Sequence, residues 1–254
     1  MEYKIAIPSY KRADTLINKT LAYLKRTNVN MAKVFVFVAN HQEEQDYAAA
    51  GIKNIVVGKE TIKAQRNFIR RYFSPGEFIF SIDDDVDGIF TAESVKKVVE
   101  VQDLDTLIRQ GFQFCSSLQT KLFGVGAVVN PLFIYNKKVS IDLRYIVGAA
   151  FGQIIDHDPY FDQTIDDKGD YQRSIKYYKK YKRIVRLNSY AVKTKYYKES
   201  GGMQDTRTKE RVKMSAIYLL NEYPEYCKIN TAKKNKEFFE IKLKDGTKGN
   251  NITR

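Results

Sequence analysis

The sequence has no tryptophan, only two cysteines and only five prolines among its 254 residues. Cys115 and Cys227 are too few for a disulfide framework or a cysteine-based zinc site, and neither lies in a Cys-x-x-Cys pair. Nowhere do about 18 apolar residues run together, so no stretch reads as a membrane-spanning helix. The first eight residues pass straight into an apolar strand pattern and carry no signal-peptide core. Disorder is excluded as well, because apolar residues make up 43% of the chain and are periodically spaced. A chain of this length buries roughly 70–75% of its unfolded surface and needs no staples. These absences lead to an expectation of a soluble, cytoplasmic globular protein in a reducing compartment.

What is present is charge, unevenly placed. The net charge is +13, but residues 1–170 hold 21 basic and 22 acidic side chains, whereas residues 171–254 hold 22 basic and 8 acidic. The whole excess therefore lies in the last third, as expected of a surface facing a polyanion. Within it, Tyr177, Tyr178, Lys179, Lys180, Tyr181, Lys182 and Arg183 interleave aromatic and basic residues, and Tyr196, Tyr197 and Lys198 repeat the mixture. Basic groups neutralise phosphates and aromatic faces stack on bases. The same pattern also fits a solvated helix face.

Hydrophobic periodicity predicts strands over Tyr3–Pro8, Lys33–Ala39, Asn54–Val57 and Glu77–Ile82. Helices are predicted between them, over Asp14–Arg26, Gln42–Ala50 and Ile62–Phe73. The strands have no polar face, as in a parallel sheet covered on both sides. Further along, the pattern predicts a helix over Ala92–Gln110 broken near Asp103, and strands over Gly124–Val129 and Asp142–Phe151. A helix over Lys168–Lys182 follows, then strands over Arg183–Leu187 and Ala191–Tyr196, a helix over Thr208–Tyr223 and a strand over Glu237–Leu243. Alternating strands and helices predict an α/β fold: an open, mostly parallel, Rossmann-related sheet flanked by helices, with a basic α+β C-terminal part. Residues 1–130 and 131–254 read as two halves of one continuous domain.

The strongest chemical signal is an apolar strand that ends in Asp83, Asp84 and Asp85. Ligands of open α/β sheets bind beyond the C-terminal ends of the strands. Adjacent carboxylates repel one another unless a cation lies among them, and hard cations such as Mg²⁺ and Mn²⁺ take oxygen ligands shared with phosphates. If the backbone stays extended, Asp83 and Asp85 face one side and Asp84 the other. An acidic turn or helix cap is the alternative reading. Pro8, Ser9 and Arg12 follow the first strand, where hydroxyl and guanidinium groups can meet a phosphate or a base edge. Lys63, Arg66 and Asn67 stand early in a helix aimed at the same end; the two cations could hold a diphosphate and Asn67 a hydroxyl. An exposed basic helix face is the competing reading there.

Taken together, Pro-Ser-x-x-Arg after the first strand, Ala-x-Arg-Asn in a helix, and an apolar strand into Asp-Asp-Asp resemble the nucleotide-sugar half of GT-A glycosyltransferases. More narrowly, they resemble the TET-associated group that acts on hydroxymethylated pyrimidines in phage DNA. The resemblance covers residues 3–90 well and 142–207 loosely. It implies a divalent metal, Mn²⁺ or Mg²⁺, held by Asp83 and Asp85, and a UDP-sugar donor. It places Pro8, Ser9, Arg12, Lys63, Arg66, Asn67, Asp83 and Asp84 around that donor. It implies Gly148 beside the donor sugar, in the run Gly148, Ala149, Ala150 and Gly152. A later acidic motif matches Asp166, Asp167 and Asp170, with Asp167 the first expectation for the acceptor base and Asp170 the second. Helix capping is the alternative role for Asp166 and Asp167. The family's usual C-terminal histidine has no counterpart, because His41 and His157 lie elsewhere in the chain. Gly201 and Gly202 with Lys198 or Arg207 are expected to close over the phosphates.

The expected function is therefore metal-dependent sugar transfer from a nucleotide donor to a hydroxymethylated base in phage DNA, with inversion and retention at the anomeric carbon both open. Two alternatives stay open. One is the same enzyme acting on a glycan, lipid or protein. The other is a nucleic-acid-binding protein or a metal-dependent nuclease.

Overall fold

A computed structural model describes residues 1–194, 207–231, 239–244 and the backbone of 251–252. Strands β1 (Tyr3–Pro8), β2 (Val34–Val38), β3 (Ile55–Val57) and β4 (Phe78–Ile82) lie side by side in the order β3-β2-β1-β4, all parallel. A hairpin follows, β5 (Val86–Ser94) and β6 (Lys97–Glu100), then β7 (Leu122–Gly126), the two-residue β8 (Val139–Ser140), β9 (Ala150–Ile154) and β10 (Val185–Thr194). The sheet continues from β4 through β9 and β7 to β10. Strand β9 runs antiparallel to both neighbours, whereas β7 and β10 are parallel. The antiparallel direction of β9 has a consequence for position: its start, Ala150, lies opposite Ile82 at the end of β4.

Alternation along the strands decides which helix covers which face. Ile5, Ile7, Phe80 and Ile82 join one core with Leu16, Leu24, Leu107 and Phe112, from the segments Ala13–Arg26 and Leu104–Ser117. Ala6 and Ile79 point the other way and pack with Ile69 and Phe73 of the helix Ile62–Tyr72. A second core, including Phe161, Ile175, Tyr177 and Leu219, joins the helices Gly169–Tyr181 and Lys209–Glu222. Phe123 of β7 lies so close to Gly152 that a Cβ there would come within 1.8 Å of its ring. Among the described residues no helix is long and apolar enough to cross a membrane.

The structure departs from several expectations. Residues 92–100 form the β5–β6 hairpin, with a two-residue turn at Val95 and Lys96, in place of the first half of a helix. Val98 and Val99 are β-branched and pair across to Ala92 and Thr91, which outweighs a weak helical spacing. The expected break near Asp103 is instead a helix start: its carboxylate accepts from Thr106 N at 2.9 Å and caps Leu104–Ser117. The strand expected over Asp142–Phe151 lies later in the chain, at Ala150–Ile154. Before it, backbone groups find side-chain partners, with Ile146 N on Ser174 Oγ and Gly148 O on Arg66. The two strands expected around Asn188 are one, β10, irregular between Leu187 and Ala191. Of the last expected strand, Ile241–Leu243 is formed, and residues 232–238 lie outside the described residues.

Candidate active site

Because β1, β2 and β4 are parallel, their C-terminal ends share one side of the sheet. That side receives Ser9, Asn40 and the aspartate triplet, joined by Gly148 and Ala149 before β9 and by Thr194 at the end of β10. The triplet does not stay extended; Asp84 and Asp85 form a turn. Thr20, fully buried in a π-helical turn at Ile17–Leu21, closes it. Its hydroxyl donates to Asp83 O at 2.7 Å and accepts from Val86 N at 3.0 Å. Asp83 N in turn donates to Ala149 O at 3.0 Å.

The turn sends the three carboxylates to different partners. Asp83 meets the Arg66 guanidinium, with its side chain 32% exposed. Asp84 turns inward, where its Oδ2 accepts from Ser9 Oγ at 2.6 Å and its Oδ1 lies 3.4 Å from Arg12. Asp85 accepts from Thr194 Oγ1 at 2.9 Å and lies 3.5 Å from the same Arg12. Burial pushes the Asp84 carboxyl up to about 7, against the pull of Ser9 and Arg12. Burial also raises Asp83; Arg66 opposes the rise and the Asp85 charge adds to it.

The loop after β1 is anchored by a buried network. Tyr47 Oη lies 2.7 Å from Ser9 Oγ and accepts from Arg12 N at 3.0 Å. Glu43 accepts from Lys11 N at 2.6 Å and from Ala39 N at 2.8 Å, while Asn40 caps its helix. A cavity of about 520 Å³ opens beside this loop, with Tyr10, Arg12, Asn40 and Tyr47 in its wall.

Arg66 links the triplet to the second half of the chain. Besides Asp83, it donates to Ser81 Oγ at 2.6 Å and to Gly148 O at 3.0 Å. Asp170 lies next to Gly148; a Cβ there would stand 3.6 Å from its Oδ2. Asp170 is half-buried in the first turn of its helix and accepts from Tyr145 Oη. The carboxylates Asp83 and Asp170 thus flank one arginine and one glycine carbonyl.

Other expected residues take different positions. Asp167 is 1% exposed, and its two oxygens accept from Arg207 Nε and Arg211 Nε at 2.7 Å each. It ties the helix Lys209–Glu222 to the core, and as a doubly engaged carboxylate it is not placed to take a proton. Asn67 spends both arms of its amide on the Gln163 backbone, at 3.0 and 2.8 Å, and therefore clamps a loop. Lys63 lies 3.4 Å from Asp166 at the same cleft. Pro8 ends β1, with Ser9 following. His157 bonds the Phe73 carbonyl, and His41 pairs with Glu44. Lys198, Gly201 and Gly202 lie outside the described residues, as do Tyr196 and Tyr197.

The aromatic and basic stretch is also corrected. Tyr177 is 1% exposed, Tyr178 packs on Tyr226, and Tyr181 stacks on Phe161 and bonds Asp156. Tyr177 is sealed in the core, and Tyr178 and Tyr181 are partly buried against it, so these rings belong to the packed side of an amphipathic helix. Thr20, Tyr47, Tyr145, Arg173 and Thr194 are components that the sequence reading did not single out. The Asp170 to Arg173 spacing, three residues on one helix face, was the one local signal among them.

No protein-family model matches the chain, and no curated protein matches it by sequence. Solved structures match its fold. TarS 1–349 of S. aureus in complex with UDP-GlcNAc aligns with a TM-score of 0.55 at 16% identity, over 87% of this chain and 67% of that one. The same fragment in complex with UDP gives 0.51 at 17% identity, over 87% and 66%. Against the longer S. aureus TarS structure the TM-score is 0.50 at 16% identity; the match covers 87% of this chain but spans only 40% of that one. At this identity the likeness is one of fold. It bears out the expected GT-A-like architecture, a mixed, mostly parallel sheet flanked by helices.

Proposed function

We propose that the protein is a divalent-cation-dependent glycosyltransferase that moves a sugar from a nucleotide-sugar, in the first instance a UDP-sugar, to an acceptor hydroxyl. The observation that carries this reading is the meeting of Asp83, Asp85, Arg66, Gly148 and Asp170 at the mouth of one sheet. The likeness to a fold seen with UDP-GlcNAc and UDP supports it.

Asp83 and Asp85 are hard oxygen donors that fit Mg²⁺ or Mn²⁺, which are held by one or two carboxylates with phosphate oxygens completing the set. Among the described residues no third histidine, cysteine, aspartate or glutamate joins them, so water and the donor diphosphate would fill the remaining positions. When bound, the ion supplies neutralisation of the charge that builds on the departing diphosphate. Arg66 and Lys63 add positive charge on the same side, and Arg12 and Asn40 line the nucleoside end, with Ser9 behind them holding Asp84. Gly148 leaves room for the sugar in front of Asp170. Asp170 takes the acceptor proton as the new C–O bond forms and the bond to the diphosphate breaks, so transfer inverts the anomeric carbon. Residues 1–130 serve the donor and residues 131–254 the acceptor.

For the acceptor, a hydroxymethylated pyrimidine in DNA is the finer reading, and its support is the excess of 22 basic over 8 acidic residues in 171–254. The burial of Tyr177 and the inward packing of Tyr181 favour an alternative in which the acceptor is a glycan, lipid or protein hydroxyl. The experiment is incubation with Mn²⁺, a panel of UDP-sugars and each acceptor class, with UDP release and acceptor mass as readouts. Sugar added to hydroxymethylated DNA, and lost steeply with salt, supports the finer reading. Transfer to another class alone rejects it while keeping the enzyme, and no nucleotide release from any donor rejects the enzyme.

A further inference from the structure

We propose, resting on the metal and donor roles above, that Arg12 is an exchangeable counter-ion: it neutralises Asp85 before the donor arrives and passes to the donor diphosphate when a divalent ion binds Asp85. Arg12 stands between two features of the sheet mouth. On one side its guanidinium lies 3.4 Å from Asp84 Oδ1 and 3.5 Å from Asp85 Oδ2, with the three side chains 10%, 7% and 15% exposed. On the other, Arg12 belongs to the wall of the cavity of about 520 Å³, with Asn40 and Tyr47. A diphosphate that joined a nucleoside in that cavity to an ion at Asp85 would span the ground that Arg12 occupies.

The two arginines at the triplet are held differently. Arg66 donates to Ser81 Oγ at 2.6 Å and to Gly148 O at 3.0 Å besides pairing with Asp83, and it lies over the Phe151 ring, so it is fixed in place. The Arg12 contacts to Asp84 and Asp85 are both longer than the about 2.7–2.9 Å of a tight charge-assisted hydrogen bond. Asp85 does not depend on Arg12 for its position, because Thr194 Oγ1 donates to it at 2.9 Å. The Arg12 main chain is pinned, its N–H on Tyr47 Oη at 3.0 Å and its carbonyl accepting from Leu16 N at 2.8 Å. A change of partner therefore falls to the side chain, whose forked donors suit carboxylate and phosphate alike. Charge sets the coupling. A divalent ion on Asp85 and a guanidinium beside the same carboxylate repel each other, and at this low exposure the repulsion is poorly screened. The ion alone therefore binds against Arg12. A diphosphate removes the conflict by giving the guanidinium phosphate oxygens, so ion and donor each tighten the binding of the other.

The test measures Mn²⁺ binding to the whole protein through the electron paramagnetic resonance signal of the free ion, without nucleotide and with saturating UDP. Arg12→Gln should bind Mn²⁺ about fivefold to tenfold more tightly than wild type without nucleotide, while its calorimetric affinity for UDP in excess Mn²⁺ falls by about the same factor. Arg12→Lys, which keeps the charge, should bind Mn²⁺ as weakly as wild type when nucleotide is absent. Loss of a merely structural residue would weaken both ligands together and does not give opposite signs. A wild-type crystal grown with UDP and Mn²⁺, expected to show Arg12 on a phosphate oxygen and off Asp85, decides the matter if Arg12→Gln does not fold. Nucleotide-free Mn²⁺ binding that is unchanged or weaker in Arg12→Gln, or Arg12 still beside Asp85 in that crystal, overturns the inference and leaves the metal-dependent enzyme standing. Mn²⁺ that binds neither protein, with or without UDP, overturns both.

Discussion

Burial changes the ionisation of Asp84 strongly. Its carboxyl is pushed up to about 7 by burial, above about 3.9 in an unfolded chain. Between those values the folded state holds the proton that the unfolded state has released. Its contribution is therefore fully present at the acid end and is lost as pH rises through about 7. With chelator present, denaturant melts of the wild type should lose roughly 3 kcal/mol more between pH 5 and pH 8 than Asp84→Asn loses. Equal slopes would show that Asp84 is ionised throughout. Asp167 and Asp170 separate in the opposite sense. Asp167→Ala strands two arginines and should cost about 3 kcal/mol of stability. Asp170→Asn should keep Tm within about 2 °C while kcat falls about 10²- to 10⁴-fold. The places of Asp83, Asp85 and Arg66 were legible because local pattern alone puts them at a strand end and in an early helical turn. The pairing of Asp167 was not legible because its partners, Arg207 and Arg211, lie 40 and 44 residues away, where no local spacing reaches.

At the scale of elements, the strand–helix alternation from Tyr3 to Ile82 was readable to within a residue or so, because β1, β2 and β4 are buried on both faces and the helix Ile62–Tyr72 on one. The hairpin at Val86–Glu100 was not, since its pairing to β10 is a long-range decision that overrode a short helical spacing. The π-helical turn at Ile17–Leu21 was equally hidden. It inserts Thr20 against the aspartate turn, so its value is visible only once β4 lies beside it. Thr20→Val keeps the shape and removes both hydrogen bonds. It should cost about 2 kcal/mol by denaturant melt and weaken Mn²⁺-dependent nucleotide binding. A variant that melts like wild type would mean that the turn holds without its clamp.

Over the whole molecule, charge is unevenly placed. Residues 1–170 carry almost no net charge and hold the aspartate turn, Arg66 and Gly148; the basic excess lies in 171–254. A polyanionic acceptor would be drawn by the second part and its hydroxyl presented to the first. The account turns on the sheet mouth, and calorimetric titration of UDP tests it most directly, with and without Mn²⁺, on the wild type and on Asp85→Asn. The account predicts tight binding only with wild type and Mn²⁺ together, at least about tenfold weaker when the metal is chelated or Asp85 is replaced. UDP binding that is equally strong in chelator and in Asp85→Asn would contradict it.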